Sequence, residues 1–316
     1  MTEQALSVQP FSLIPVPADG PLPSWMDGWL AELDRVQVRS RGCPPRDPAA
    51  ARSALRAHLA RREVAVARTA DGWAFCAVRR VVHPLTGLAE TSLTRFAATA
   101  AEPAALLLDE LARRDLLDRC TVETEAAPDG RQSALIEHGF TENVLVLRHP
   151  LEPAAGPDAA GPGPALAELD LHPVRGEETG FVIECLATAL RRGLAGAQPA
   201  TDLAAWAREH YLLDDGSALC LVGRLDGIPV GHGLGYRRKD RYGIDSVLYL
   251  VDVFVVPSCQ GRGLSRAISA EIMRVAAREG YQVVESDVLL TSSSDGLRQG
   301  LRAAGWSEDR IRWGRG

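Results

Sequence analysis

The sequence predicts an α/β protein in which two similar units, each a central mixed β-sheet flanked by helices, follow one another along the chain. Three observations lead to this prediction. Short apolar runs of strand length alternate with segments whose apolar residues recur at helical spacing. The same order of elements occurs twice. A stretch rich in Pro, Gly and Ala separates the two copies, as a linker would.

Size and charge limit the classes of function. The 316 residues are enough for two domains of ordinary size. The net charge of -6 argues against a nucleic-acid partner, because phosphate contacts need a basic face. No apolar run reaches the roughly 18 residues of a membrane span, so we expect no membrane partner.

The N-terminal residues and the cysteines bear on the compartment. The first residues have no basic segment and no long apolar core, so we expect no signal peptide. The six cysteines are scattered and form no C-x-x-C pair. We therefore expect reduced thiols in a cytoplasmic protein, and no metal site, because no ligand cluster is present.

The first half, residues 1–150, contains alternating strand and helix patterns. An Asp71-Gly72 turn joins two of its strands as a hairpin. The predicted strands are Phe11–Val16, Glu63–Arg68, Trp73–Val82, Thr91–Ala97, Cys120–Glu125 and Asn143–Arg148. The predicted helices are Trp25–Val38, Pro48–Arg61, Pro103–Leu117 and Asp129–His138.

A Pro/Gly/Ala linker at 151–165 precedes the second half, residues 166–316, which repeats the order. Asp226-Gly227 is its hairpin turn. The predicted strands are Leu169–Val174, Ala218–Arg224, Pro229–Arg237, Val247–Val256, Gln282–Leu290 and Arg310–Trp313. The predicted helices are Glu177–Arg192, Thr201–Leu213, one beginning at Leu264, and Asp295–Ala304. Two further pairs of segments support the duplication: Asp129-Gly130 with Asp295-Gly296, and Leu135–Phe140 with Leu301–Trp306.

A glycine turn between a strand and a helix is the strongest functional feature. Pro257 ends a valine-rich strand, the turn Gln260–Gly263 follows, and a helix begins at Leu264. Glycines let the backbone approach a ligand, and the amides of a first helical turn lack helical partners. Because the helix dipole also favours negative charge, the segment predicts a phosphate site.

The residues of this turn resemble the acyl-CoA signature Q/R-x-x-G-x-G/A of the GNAT acyltransferase superfamily. Here the signature is Gln260-Gly261-Arg262-Gly263-Leu264-Ser265, with serine in the last place. The resemblance extends over the second half and includes the preceding VDVFVVP and the following GLRQGLRAAGW. The first half resembles the same fold by element order, but its segment FAATAAEPAALLL from Phe96 has no glycine. The chain therefore resembles tandem GNAT proteins with a degenerate N-terminal copy, such as mycothiol synthases and natural-product enzymes.

The resemblance implies a CoA-dependent N-acyltransferase that moves an acyl group, most often acetyl, from acetyl-CoA to the amine of a small molecule by direct attack. It implies that backbone amides of the turn hold the pyrophosphate and that the strand runs beside the pantetheine, with one N–H as oxyanion donor. Gln260, Arg262 and Arg266 add side-chain donors. The implied cofactor-binding residues are Val253, Phe254, Val255, Gln260, Gly261, Arg262, Gly263, Leu264, Ser265 and Arg266.

Asp252 is the first candidate for the base that accepts the proton of the amine. It interrupts an apolar strand, where a carboxylate is costly unless it is paired or used. A buried aspartate satisfied by a neighbouring strand or arginine is the alternative. Strand alternation puts Tyr249 on the opposite face. Glu285 and Asp287 on the next strand are second candidates, with a solvated strand end as the alternative.

Other candidates have weaker support. His232 within GHGLGYR is a possible base or a structural histidine. His210 and Tyr211 end the second helix, where the resemblance implies the acceptor pocket, or they simply terminate that helix. The family's general acid, a tyrosine four residues before the glycine of Gly305-Trp306, is replaced by Leu301. Ser292, Ser293 or Ser294, or a water, could replace it, or the thiolate leaves unassisted.

A different class of function also fits the sequence. The missing tyrosine is what a non-catalytic or regulatory acyl-CoA-binding protein would show. CoA release with a panel of amines separates this hypothesis from the enzyme. The two halves together imitate a dimer, so we expect a monomer or a weak homodimer. No motif identifies the acceptor amine.

Overall fold

The computed structural model of the chain describes residues 11–15, 48–59, 62–70, 72–125, 130–151, 168–194, 197–211, 213, 218–238, 246–290 and 294–315. The predicted helix Trp25–Val38 lies outside these residues, as does the predicted linker apart from Leu151. Within this part of the chain, no helix has the length and apolar character needed to span a membrane.

One mixed sheet of twelve strands forms the centre of the protein. Its strands are β1 (Phe11–Pro15), β2 (Glu63–Thr69), β3 (Gly72–Val82), β4 (Ala89–Ala98), β5 (Cys120–Glu125), β6 (Thr141–Pro150), β7 (Asp170–Pro173), β8 (Ala218–Leu225), β9 (Ile228–Arg238), β10 (Val247–Val255), β11 (Val283–Leu289) and β12 (Ser307–Arg315). Their order across the sheet is β1-β2-β3-β4-β5-β12-β6-β11-β10-β9-β8-β7.

Helices cover both faces of this sheet. They are α1 (Pro48–Leu59), α2 (Ala101–Ala112), α3 (Gly130–Glu137), α4 (Thr179–Gly193), α5 (Leu203–His210), α6 (Leu264–Arg278) and α7 (Ser294–Ala303), with 3-10 turns at Gly176–Glu178 and Pro257–Cys259. The predicted α/β class with a mixed sheet is therefore confirmed.

The two halves have the same strand order, but they exchange their last strands. β6 of the first half pairs with β11, and β12 of the second half pairs with β5. β6 and β12 also pair with each other, so the pseudo-twofold axis passes between them. The only parallel pairs among the described strands, β4–β5 and β10–β11, lie on either side of this axis. Two separate sheets were expected from the sequence, and the exchange joins them into one.

The two faces of the second half carry different helices. Ile268 and Ile272 of α6 belong to a large apolar core that also contains Leu248 and Leu250 of β10. On the opposite face, Leu234 of β9 packs in a separate cluster with residues of α4 and α5. The side of the sheet to which a residue of β9 or β10 points therefore decides which helices it meets.

One helix differs clearly from its prediction. α2 spans Ala101–Ala112 instead of Pro103–Leu117. It begins earlier because Pro103 in a first turn removes no helical hydrogen bond. It ends earlier because the N–H of Leu116 bonds back to the carbonyl of Leu111 and Asp115 takes a left-handed φ of 56°.

Candidate active site

Alternating glycines on β9 bring helix α6 close to the sheet. A Cβ at Gly233 would lie 2.1 Å from Ile272 Cδ1, and one at Gly231 would lie 3.0 Å from Ile268 Cδ1. A Cβ at Gly231 would also lie 2.6 Å from the carbonyl oxygen of Phe254 on β10, so a larger side chain at either position would displace the isoleucines of α6 or the neighbouring strand. The GHGLGYR segment therefore sets the helix depth, and with it the position of the turn that leads from β10 into α6.

The turn has the conformation that its glycines predict. Gly261 and Gly263 take φ values of 78° and 77°, the left-handed region, and Gly263 is the N-cap of α6. Both are exposed, and a Cβ at either would meet no atom within 4 Å. At these two glycines the turn therefore exposes only backbone atoms to solvent.

The amides of this turn are unpaired. The N–H of Ala267 donates to the carbonyl of Gly263 at 3.2 Å. Among the described residues, the amides from Gly261 through Arg266 donate to no backbone carbonyl. The exposed side chains of Arg262 and Arg266 add positive charge. Gln260 has a different role, because its Nε2 donates to the carbonyl of Val255 at 2.9 Å and closes the turn onto the strand.

Strand β10 has an open backbone edge next to the turn. Its parallel pairing with β11 ends at Leu250 and Ser286. The N–H of Val256 donates to Val230 on β9, and strand alternation then directs the N–H of Val253 away from β9. The Val253 amide consequently faces the gap between the diverging strands. By the same alternation the Val255 N–H also faces this gap, whereas that of Phe254 faces β9; Val253 is the one of the two that adjoins Asp252 in the chain.

A β-bulge at Val251 changes which residues share a face. Tyr249 pairs with Tyr236 and Asp252 pairs with Leu234, and these partners lie two residues apart on β9. Tyr249 and Asp252 therefore point to the same side of the sheet, and the prediction of opposite faces is wrong. The extra residue of a bulge shifts the alternation by one, which strand periodicity cannot reveal.

Asp252 lies beside a buried histidine. Its Oδ2 is 3.2 Å from Nε2 of His232, whose side chain is fully buried, whereas the Asp252 side chain is 18% exposed. Neither ring nitrogen of His232 has a hydrogen-bond partner among the described residues, so the carboxylate is its nearest polar contact. The His232 ring stacks against the Phe254 ring, with ring centroids 6.3 Å apart. The pair thus presents a partly exposed carboxylate in front of a histidine that solvent does not reach.

The face to which Asp252 points is the side of α4 and α5. Burial and the charge of Asp252 raise the pKa of Cys185 on α4 to about 12. Burial and the same carboxylate also raise the pKa of Tyr211, which follows α5. The Tyr211 ring stacks on Tyr236 at 6.4 Å. Two tyrosines therefore lie on the side of the sheet where Asp252 is exposed.

Glu285 and Asp287 are held in ion pairs instead of lying at a solvated strand end. Glu285 is 1% exposed and accepts hydrogen bonds from Arg310, at 2.5 Å, and from Arg238. Asp287 accepts from Arg312 at 2.7 Å and from the Tyr249 hydroxyl at 2.9 Å. Glu285 is thus enclosed by two arginines, whereas the Asp252 carboxylate is partly exposed and more accessible to a substrate.

The Asp287 carboxylate also affects its neighbours. Burial raises the pKa of Tyr249, and Asp287 raises it further. Burial acts to lower the pKa of Arg312, but Asp287 and Glu123 outweigh it, so the net shift is upward. Tyr249 and Arg312 therefore stay protonated as parts of this network. The sequence did not reveal the roles of Arg238, Arg310 and Arg312, because each reaches a carboxylate on a strand that is not its direct neighbour in the sheet.

The remaining candidate residues have structural roles or lie outside the part of the chain that the structure describes. Leu301 is partly buried against the main core near the end of α7, and its side chain offers no proton. Ser294 begins α7, but its side chain, like Ser292 and Ser293, lies outside the described part of the chain. His210 donates from Nδ1 to the carbonyl of Trp206 at 2.9 Å and stacks on that ring, which supports a helix-terminating role.

The first half lacks both parts of the site. β4 leads into α2 through Thr99 and Ala100 alone, with no left-handed glycine. The two halves can be matched by counting the paired residues of each hairpin outward from its turn. On this count Phe75 corresponds to His232, and Thr94 corresponds to Asp252. The Thr94 hydroxyl is 2.8 Å from Nε2 of His58, and threonine has no carboxylate that could act as a base. Activity in this half is therefore not supported.

Metal ligands are not assembled in the part of the chain that the structure covers. Its described residues contain no group of three or more His, Cys, Asp or Glu side chains that could hold an ion. Cys76, Cys120, Cys185 and Cys220 are buried free thiols, and Cys259 is partly buried in the 3-10 turn before Gln260.

Comparison with known proteins finds one family model that matches part of the chain. Residues 187–293 match the model of the Acetyltransferase (GNAT) family. That range contains the bulged strand, the glycine turn and α6. A search of curated protein sequences found no match to the chain.

Solved structures resemble nearly the whole chain. A GCN5-related N-acetyltransferase from Sphaerobacter thermophilus has a TM-score of 0.61 at 18% identity, covering 98% of this chain and 96% of its own. A tandem GNAT protein from the clavulanic acid biosynthesis pathway has a TM-score of 0.52 at 15% identity, covering 96% and 98%. A GCN5-related glucosamine N-acetyltransferase region of a fungal multi-domain β-N-acetylglucosaminidase has a TM-score of 0.53 at 14% identity, covering 99% and 39%.

These likenesses show the fold, and the family match shows which half carries the acetyltransferase signature. The chain has the fold of tandem GNAT proteins, and residues 187–293 of its C-terminal half match the GNAT acetyltransferase family model.

Proposed function

We propose that the C-terminal half transfers an acyl group, most simply acetyl, from CoA to the amine of a small molecule by direct attack on the thioester. The observation that carries the proposal is the sequence of groups along β10 and its turn. A partly exposed carboxylate, an open strand amide and a row of unpaired turn amides follow one another there. Base, oxyanion donor and phosphate site are thus in the order that an acyl-CoA substrate requires.

Binding of acyl-CoA would depend mainly on backbone amides. The amides from Gly261 through Arg266 would donate to the pyrophosphate oxygens, with Arg262 and Arg266 adding charge. The pantetheine arm would lie along Val253–Val255 in the gap left by β11. The Val253 N–H would then donate to the thioester oxygen, and this bond strengthens as negative charge develops there.

Proton transfer depends on Asp252. An amine arrives mostly as an ammonium ion, and Asp252 would accept its proton directly or through water. The freed nitrogen lone pair forms the new C–N bond while the C–S bond breaks and its electron pair leaves on sulfur. The nitrogen then loses its second proton to water, which gives the neutral amide. Leu301 cannot donate a proton to that sulfur. Because a thiolate is a far better leaving group than an alkoxide, it departs unassisted and is protonated by water.

The acceptor would be a small amine that reaches Asp252 from the side of α4 and α5. The fungal structure with a similar fold is named for glucosamine, and the tandem relative belongs to a natural-product pathway. Amino sugars, amino acids and natural-product intermediates are therefore the first amines to test. Free cysteines and an acyl-CoA substrate are consistent with a cytoplasmic enzyme.

The test is thiol release from acetyl-CoA with a panel of such amines, using wild type and Asp252→Asn. We expect turnover with at least one amine. The substitution should lower kcat at neutral pH by about a hundredfold or more, while the Kd for acetyl-CoA stays within about twofold. A pH–rate profile that is the same in both proteins would remove Asp252 as the base.

One observation favours a second candidate function. The apolar, core-packed Leu301 at the place of the family's acid fits a non-catalytic acyl-CoA-binding protein. Tight acetyl-CoA binding without turnover on any amine would establish that alternative.

A further inference from the structure

The loop between β3 and β4 in the first half, residues 83–88, has a defined shape. The N–H of His83 donates to the carbonyl of Leu88, and the N–H of Gly87 donates to the carbonyl of His83, both at 2.8 Å. His83 Nδ1 lies 3.3 Å from the amides of Leu85 and Thr86 and accepts from both. These bonds hold the loop tip and direct Leu85 away from its own half.

Leu85 is buried in the second half. It is 7% exposed and forms a small apolar cluster with Ala187 of α4 and Leu203 of α5. Its carbonyl accepts from the N–H of Ala200, in the segment between those helices, at 2.6 Å. Partly buried residues of the second half complete the cluster: Leu190, Leu194, Ala204 and Trp206. Among the described members, Leu85 alone comes from the first half.

The cluster is connected to the candidate base through aromatic contacts. Trp206 stacks on His210, with ring centroids 4.1 Å apart, and meets Tyr211 edge-on at 5.8 Å. Tyr211 in turn stacks on Tyr236. Tyr236 lies two residues from Leu234, the β9 partner of Asp252, and points to the same face, so Tyr211 lies on the face of the sheet to which Asp252 points. A continuous series of contacts therefore leads from Leu85 to the acceptor side of the site.

We propose that the first half, whose β4–α2 connection has no glycine turn, supports the acceptor side of the second, with Leu85 fixing α5 and so holding Tyr211 against Tyr236 on the face to which Asp252 points. Leu85 is a positioning residue, and its effect is on the affinity for the acceptor amine. The proposal rests on the proposed function for the role of Asp252. The acceptor class that suits this wall is a primary ammonium, because aromatic rings and a carboxylate both attract cations.

Helix α5 depends on packing for its position, which gives the first half a structural role in the second. A helix of 8 residues such as α5 has little stability of its own and depends on tertiary packing. Its Asp202 N-cap accepts from the amides of Ala204 and Ala205, which satisfies the helix start but does not fix its position. Ala207 packs α5 against α4, and the contact from Leu85 to Leu203 fixes the start of the helix from the first half.

The test compares Leu85→Ala with Leu88→Ala. Both remove the same atoms from one loop, but Leu88 is 40% exposed and is absent from the cluster. With an amine that wild type accepts, Leu85→Ala should raise the acceptor KM about tenfold or more, because small displacements at a site have large kinetic effects. The KM for acetyl-CoA should stay within about twofold, and Leu85→Met should restore the acceptor KM.

Amide hydrogen exchange provides a readout that needs no turnover. In Leu85→Ala, residues 203–211 should exchange faster, while α6 and the glycine turn should not change. Leu88→Ala should leave both regions as in wild type. An unchanged acceptor KM, or unchanged exchange over 203–211, would overturn the proposal. If wild type turns over no amine, the proposed function fails, and the exchange data still decide whether Leu85 supports α5.

Discussion

Gly261→Glu is the sharpest test of the phosphate site, because the structure supplies a matched control on the same helix. Gly261 has a φ of 78° before α6, and Gly280 has a φ of 80° after it. Both are exposed, and an added Cβ would meet nothing within 4 Å at either position. Gly280→Glu therefore introduces the same side chain, charge and backbone strain about one helix length from the turn.

The expected magnitudes separate folding from binding. A non-glycine residue in the left-handed region costs about 1–2 kcal/mol, so both variants should lose a similar, modest amount of stability. A carboxylate about 5 Å from a phosphate charge, at an effective dielectric constant of about 20, repels it by about 3 kcal/mol. That repulsion corresponds to a Kd for acetyl-CoA raised about a hundredfold, and it would occur only in Gly261→Glu.

Isothermal titration with acetyl-CoA gives the Kd, and thermal unfolding gives the stability. We expect Gly261→Glu to bind at least about a hundredfold more weakly than Gly280→Glu, with similar melting temperatures for the two variants. Equal affinities would show that the pyrophosphate does not lie on this turn. A much lower melting temperature for Gly261→Glu alone would show that the turn contributes to folding in a way that its open surroundings do not suggest.

Three further predictions concern the surroundings of the site. Gln260→Ala removes the bond to the Val255 carbonyl and should weaken acetyl-CoA binding about fivefold, since one such bond contributes about 1 kcal/mol; an unchanged titration would contradict it. Glu285→Gln should lower the free energy of unfolding by about 3 kcal/mol through its arginine partners, yet keep the shape of the pH–rate profile that Asp252→Asn alters. Burial opposes ionisation of Glu178, but bonds from the Arg175 amide and Arg224 outweigh it and lower its pKa below the ordinary 4.5. Its stabilisation is thus full above that pH and is lost as pH falls through the lowered value, so Glu178→Gln should be less stable than wild type by about 2 kcal/mol at neutral pH, with the difference shrinking in acid unfolding titrations.

Local pattern was sufficient for the elements that carry the CoA side. The apolar run, the proline stop and the glycines of the strand–turn–helix segment are properties of consecutive residues, and β10, the turn and α6 formed where they indicated. The absence of such a turn between β4 and α2 could also be predicted, because the sequence of that segment contains no glycine. Even the buried alternating glycines of GHGLGYR are visible in the sequence, although their partners Ile268 and Ile272 are not.

The acceptor side could not be derived in the same way. The bulge at Val251 reverses the face of every residue after it, and nothing in VDVFVVP announces an extra residue. Glu285 looked like a candidate base until the exchanged strand β12 supplied Arg310 as its partner. Contacts between strands distant in the chain decide both outcomes.

Taken by itself, the sequence determined the α/β class, the repeated order of elements and the glycine turn between β10 and α6, while the linker and the phosphate role of the turn stay predictions. These depend on periodicity and on residues with unusual backbone freedom, which act over a few positions. Only the tertiary structure decided that the two halves exchange their last strands, that Asp252 stands in front of buried His232, and that Leu85 reaches α5 from the other half. Those features depend on register and packing between distant segments, where each choice is made by the free energy of the whole sheet. The stretch from β10 to α6 is therefore predictable as strand, glycine turn and helix, whereas the side chains that surround it are brought there by the fold.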